Sequence, residues 1–162
     1  MKELIKGFSY AGKGIFFCFA NERNMRIHLC FTAYMFGFLK VFDFFEVSNA
    51  EIAVLLGLCA LVLSLEAVNT AIERTVDLVT TEYKPLARIA KDSAAGAVLI
   101  AAVFSVIAGI VIMYQPEAFR AMFAYYRTHL YMLVILIISL VLSLLFIFLP
   151  PIIKNRKTAE KK

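Results

Sequence analysis

The chain has 162 residues, of which 62% are hydrophobic, with a mean hydropathy of +0.81 and a net charge of +5. One domain of this length cannot hide that much apolar surface from water, so the composition excludes a soluble globular protein and specifies an integral membrane protein. In such a chain the positive balance reports anionic lipid and an inside-positive topology, and no nucleic-acid partner is expected. Cys18, Cys30 and Cys59 fall in apolar stretches without pairing or metal-ligand spacing. They read as reduced, structural residues.

Residues 3–20 are apolar in a helical pattern. Leu4, Ile5, Phe8, Ile15, Phe16 and Phe19 share one side, and Lys2, Lys6 and Lys13 another. This predicts an amphipathic helix on the membrane surface, lysines towards the headgroups. The segment lacks a continuous apolar core and a small-x-small site, so no cleaved signal peptide is expected. Four spans follow, at about 27–45, 52–72, 92–113 and 130–149, each near the ~20 residues a crossing needs. The first is the least apolar, interrupted by Lys40 and Asp43, and the fourth runs into Pro150-Pro151 and the basic tail KNRKTAEKK. The predicted fold is all-α: a membrane helical bundle with an N-terminal surface helix.

Lysine and arginine set the orientation. With both termini inside, fourteen of the seventeen lie on the cytoplasmic side, leaving Lys40, Arg120 and Arg127 outside. The expected location is the cell (cytoplasmic) membrane.

That topology puts EAVNTAIERTVD, residues 66–77, at the cytoplasmic end of the second span. Glu66, Asn69, Glu73 and Asp77 fall within an arc of roughly 80° and form one polar stripe. A carboxylate inside the apolar layer costs a few kcal/mol unless paired or wet, which makes Glu66 a functional candidate. Two other polar segments share this face: NERNMRIH (21–28) and TEYKPLARIAKD (81–92). Carboxylates on separate elements, such as Glu22 and Glu73, suit a hard divalent ion carrying phosphates, and lysine and arginine suit the phosphates. The residues thus read as phosphoryl transfer to a lipid alcohol at the interface. There is no G-x-x-x-x-G-K-[ST] and no kinase-type glycine loop, and GKG (12–14) is too short to count. His28 and His129 are predicted on opposite faces of the membrane. Ala97, Ala101, Ser105 and Gly109 repeat every four residues, a stripe that predicts close helix packing. So thin a bundle could hardly enclose ATP and a lipid alone, and a homo-oligomer is expected.

Two other classes compete. A small multidrug-type transporter also has four spans and an intramembrane glutamate, but places it towards mid-membrane of its first span. A non-catalytic membrane subunit accounts for the small-residue stripe but not for Glu66, Asn69 and Glu73.

ExxNTAIExxVD at 66–77, EYxxLAxxAKDxxAGAVL at 82–99 and NERNxRIH at 21–28 resemble the prokaryotic diacylglycerol kinase family, which includes undecaprenol kinases. The resemblance covers roughly residues 1–114, the implied kinase domain; residues 115–162 form an additional span and tail, expected to pack peripherally or anchor. It implies a trimer with active sites shared between protomers, and transfer of the ATP γ-phosphate to a lipid hydroxyl. It assigns Glu66 as general base, Glu22 and Glu73 as Mg²⁺ ligands, Asn69 as a site-ordering residue and Asp77 as a support. Lys91 and Asp92, with Tyr10, Glu82, Tyr83 and Lys84, are implied to contact ATP. NERNMRIH resembles the polyprenol-phosphorylating branch, so undecaprenol is the favoured acceptor and diacylglycerol the alternative.

Overall fold

The structure, a computed structural model, describes residues 1–42 and 44–149. Asp43, Pro150-Pro151 and the basic tail lie outside the described residues. Within them the fold is entirely helical: α1 (Lys2–Asn21), α2 (Arg23–Val41), α3 (Asn49–Val79), α4 (Pro85–Met113), α5 (Pro116–Thr128) and α6 (Leu130–Phe148).

Local chemistry explains the breaks. Glu22 adopts an extended conformation (φ −102°, ψ 119°) and ends α1 while capping α2, which makes an elbow between surface helix and bundle. Ser48 and Glu51 form a reciprocal capping box that starts α3: each side chain accepts the other's backbone N–H. Pro85 and Pro116 open α4 and α5, where a missing N–H costs nothing.

α3, α4 and α6 are long and apolar enough to cross a membrane. α2 is not among them: Arg23, Arg26 and Lys40 fall within its 19 residues, and it stops at Val41 rather than near Phe45. α3 has 31 residues, about 46 Å at 1.5 Å per residue, against about 30 Å of hydrocarbon. Its polar end must therefore project beyond the apolar layer.

α3 and α4 pack as a hairpin through Val62, Val98 and Ala101. A second core cluster joins Met35 and Leu39 of α2, Phe45, Leu55 of α3 and Ala118 of α5. The helix α5 was not foreseen in the sequence. It closes the end of the bundle opposite Glu66 through an aromatic cluster of Phe42, Phe44, Tyr125 and Tyr126, with Phe45 edge-on to Phe119 at 5.3 Å. The Gln115 amide locks this corner, accepting from Glu46 N (3.0 Å) and donating to Glu46 O (2.9 Å).

The small-residue stripe of α4 behaves differently from expectation. Ala101 packs against α3, but Ser105 and Gly109 line an open apolar groove of about 740 Å³ between α2, α3 and α4. A Cβ at Gly109 would meet no atom of a neighbouring helix within 4 Å. Small side chains here leave space rather than close a contact.

Candidate functional site

The polar stripe of α3 is buried where it enters the bundle. Glu66, Asn69 and Thr70 are 3%, 8% and 4% exposed. The elbow of α1 and α2 lies over them: Cys18, Ala20, Asn21 and Met25 are all buried there. Burial pushes the Cys18 thiol pKa up, and a hydrogen bond with Thr70 offsets this only in part.

Glu66 meets His28. The imidazole Nε2 lies 3.5 Å from Glu66 Oε1, with the glutamate side chain almost fully enclosed and the histidine about a quarter exposed. His28 also lines the apolar groove, together with Val62, Ser105 and, at the far end, Tyr114 and Phe119. His28 thus borders a groove lined by hydrocarbon and touches Glu66 behind it.

One turn below Glu66, Asn69 Nδ2 donates to Glu73 Oε1 at 3.0 Å. The other atom of that amide, Asn69 Oδ1, is buried without a hydrogen-bond partner. A buried carbonyl oxygen without a donor costs about 1–3 kcal/mol. Glu22 reaches the same level from the elbow, where Arg74 Nη2 donates to its Oε1 at 2.8 Å. The Arg74 guanidinium also lies over the Phe17 ring, 5.4 Å from its centroid. Lower still, Lys91 of α4 donates to Asp77 Oδ1 at 2.5 Å, tying the α3–α4 hairpin together.

The remaining predicted residues stand apart from this core. Asp92 pairs with Arg88 on the exposed face of α4, at 3.4 Å. Glu82, Tyr83 and Lys84 lie exposed in the α3–α4 turn, and Tyr10 is exposed on α1 with Lys13 over its ring.

Three further residues take up positions that their place in the sequence does not specify. His28 was set aside as unable to pair with His129, although it lies at the depth of Glu66 on the neighbouring segment. Arg74 counted only as a positive-inside charge. Arg26 is 3% exposed and donates from Nη1 to the backbone oxygen of Phe146 in α6, at 2.9 Å. Its signal was its position in NERNMRIH, between Glu22 and His28.

A bundle with three membrane-capable helices and a polar stripe that runs from buried Glu66 to exposed Asp77 defines a membrane protein with a polar site at one interface. The prokaryotic diacylglycerol kinase family matches residues 9–113, well over half of the chain. An undecaprenol kinase of Bacillus subtilis is 41% identical over 114 residues, which cover 69% of this chain and 89% of the relative. A diacylglycerol kinase of Synechocystis is 42% identical over 114 residues, 70% of this chain but only 63% of that protein. A Pseudomonas aeruginosa diacylglycerol kinase is 31% identical over 101 residues, 62% of this chain and 80% of the relative. No solved structure matches significantly. The chain belongs to the prokaryotic diacylglycerol kinase family, a family of membrane lipid kinases with ATP as phosphoryl donor.

Proposed function

We propose that this protein transfers the γ-phosphate of ATP to the primary hydroxyl of undecaprenol at the cytoplasmic face of the cell membrane. Diacylglycerol is the alternative acceptor. The observation that carries this reading is the contact between buried Glu66 and His28, a residue that lines the apolar groove. There a hydroxyl can meet a base while its hydrocarbon chain stays in an apolar environment.

Glu66 accepts the proton of the lipid hydroxyl as that oxygen bonds to the γ-phosphorus and the bond to the ADP oxygen breaks. His28, with Nε2 3.5 Å from the Glu66 carboxylate, helps hold it in the orientation for that proton. Both acceptor and donor are held in place, so positioning and charge neutralisation supply most of the rate.

Mg²⁺ fits the donor set. Asn69 Oδ1 is orphaned and lies beside the Glu73 carboxylate, and Glu22 keeps one oxygen outside its pair with Arg74. Among the described residues no group of three or more His, Cys, Asp or Glu is gathered, so the ion would be held by one or two carboxylates only together with the substrate phosphates. When bound, Mg²⁺ would neutralise charge on the phosphates. Lys91 and Asp92, with Tyr10, Glu82, Tyr83 and Lys84, are the proposed ATP contacts, and Asp77 holds Lys91 in place.

The exposure of Tyr10, Glu82, Tyr83 and Lys84, away from Glu66, supports sites completed by a neighbouring protomer in a homotrimer. Cross-linking in membranes that stops at monomers would count against that assembly. The decisive assay offers undecaprenol and diacylglycerol separately to purified protein with Mg²⁺ and γ-labelled ATP. Label in undecaprenol, at the higher rate, is expected. Label in neither lipid would overturn the kinase reading.

A further inference from the structure

The helix α6 lies outside the segment that the family matches. It carries two serines, Ser139 and Ser143, one helical turn apart in an otherwise strongly apolar sequence. Both turn to the same partner: the Tyr34 hydroxyl of α2 lies 3.0 Å from each Oγ. At the other end of the contact, Arg26 of α2 donates to Phe146 O in the last turn of α6, with its guanidinium over the Phe146 ring. The C-terminal end of a helix carries partial negative charge and its last carbonyls lack intrahelical donors, so a buried guanidinium suits that position doubly.

These contacts tie α2 to an antiparallel neighbour at two heights. Arg26 and Tyr34 are eight residues apart, about 12 Å along the axis and about 80° apart around it. Two such ties resist both sliding and rotation. His28 projects from roughly the opposite side of α2, where it meets Glu66 of α3. Between lipid-exposed helices there is little hydrophobic driving force, so hydrogen bonds and close packing set their relative rotation. A slip of one residue turns a helical position by about 100° and would carry His28 away from Glu66.

We infer that α6 is a clamp that fixes the rotation of α2, with Arg26 and Tyr34 as the positioning residues through which it holds His28 against Glu66. This gives the extra helix a part in site geometry that peripheral packing or anchoring would not. Its effect on turnover rests on the kinase reading above; its effect on His28 does not.

The test uses the full chain in lipid bilayers. The protein has two histidines, so His129→Gln leaves His28 as the one imidazole for ¹⁵N resonance measurements. In that background, Ser139→Ala with Ser143→Ala should shift the His28 ring signals and lower turnover about five- to tenfold, with the KM for ATP unchanged. Tyr34→Phe should do the same, and the triple variant no more, because all three side chains share one interaction. Ser139→Thr with Ser143→Thr, which keeps both hydroxyls, should restore the signal and the rate. Should the alanine pair prove unstable, Tyr34→Phe reads the same clamp. Unmoved His28 signals in the alanine and phenylalanine variants would overturn the inference, whatever the turnover. Shifted signals in a protein whose wild type phosphorylates neither lipid would uphold the clamp and overturn the kinase reading.

Discussion

His28 Nε2 stands 3.5 Å from the Oε1 of Glu66, a carboxylate on a different helix that is almost sealed from solvent. A carboxylate buried at the edge of the apolar layer costs less with a polar partner beside it, and His28 is placed to be that partner. His28→Leu should reduce turnover about ten- to a hundredfold, the cost of leaving that carboxylate unpaired. His28→Gln keeps an N–H donor and should recover part of the loss. Steady-state rates for the three proteins decide it; equal rates for wild type and the leucine variant would remove His28 from the mechanism.

Glu66→Gln preserves shape and hydrogen bonding but removes the base. Turnover should fall about 10²–10⁴-fold while ATP binding is largely kept. Label transfer and nucleotide binding, measured side by side, separate these effects. Surviving turnover would show that another group takes the proton.

Glu73 and Asn69 share a hydrogen bond and leave Asn69 Oδ1 open. Glu73→Gln should weaken Mg²⁺–ATP and appear as a raised Mg²⁺ requirement, with rate partly regained at high Mg²⁺. An unchanged Mg²⁺ dependence would count against the metal role.

Cys18 is buried under the elbow, and burial holds its thiol pKa above the ordinary 9.0. Less thiolate is then present at neutral pH, so in a Cys30→Ser, Cys59→Ser background maleimide labelling should run at least about tenfold slower than for the detergent-unfolded chain. The rate should still be climbing above pH 9. Rapid labelling at pH 7 would mean that α1 lifts away from Thr70.

Glu51, in the first turn of α3 ahead of the apolar span, accepts hydrogen bonds from the Ser48 side chain and backbone. These lower its pKa from the ordinary 4.5. A lowered native pKa stabilises the fold fully above about pH 4.5 and loses that contribution as pH falls through the native value. Thermal unfolding midpoints in detergent should therefore drop on acidification more for wild type than for Glu51→Gln. Parallel curves would show that the capping box does not couple to pH.

The sequence by itself determined what depends on composition and local spacing. Hydropathy marked α3, α4 and α6, because each carries its own apolar run of membrane length. The i, i+3 and i+4 spacing was enough to put Glu66, Asn69, Glu73 and Asp77 on one side of α3, since helical geometry alone dictates that. Motif resemblance supplied the family. α5 was less legible: Pro116–Thr128 is amphipathic rather than apolar, and its partners Phe42, Phe44 and Phe45 are distant in the chain.

Only the tertiary structure decided which side chains meet across helices. Glu66 finds His28, Glu22 finds Arg74, and Arg26 turns away from the stripe to the end of α6. Those pairings depend on the extended backbone at Glu22 and on how α2 is rotated between α3 and α6. Rotation about a helix axis is set by contacts between helices, and no spacing within one helix encodes it.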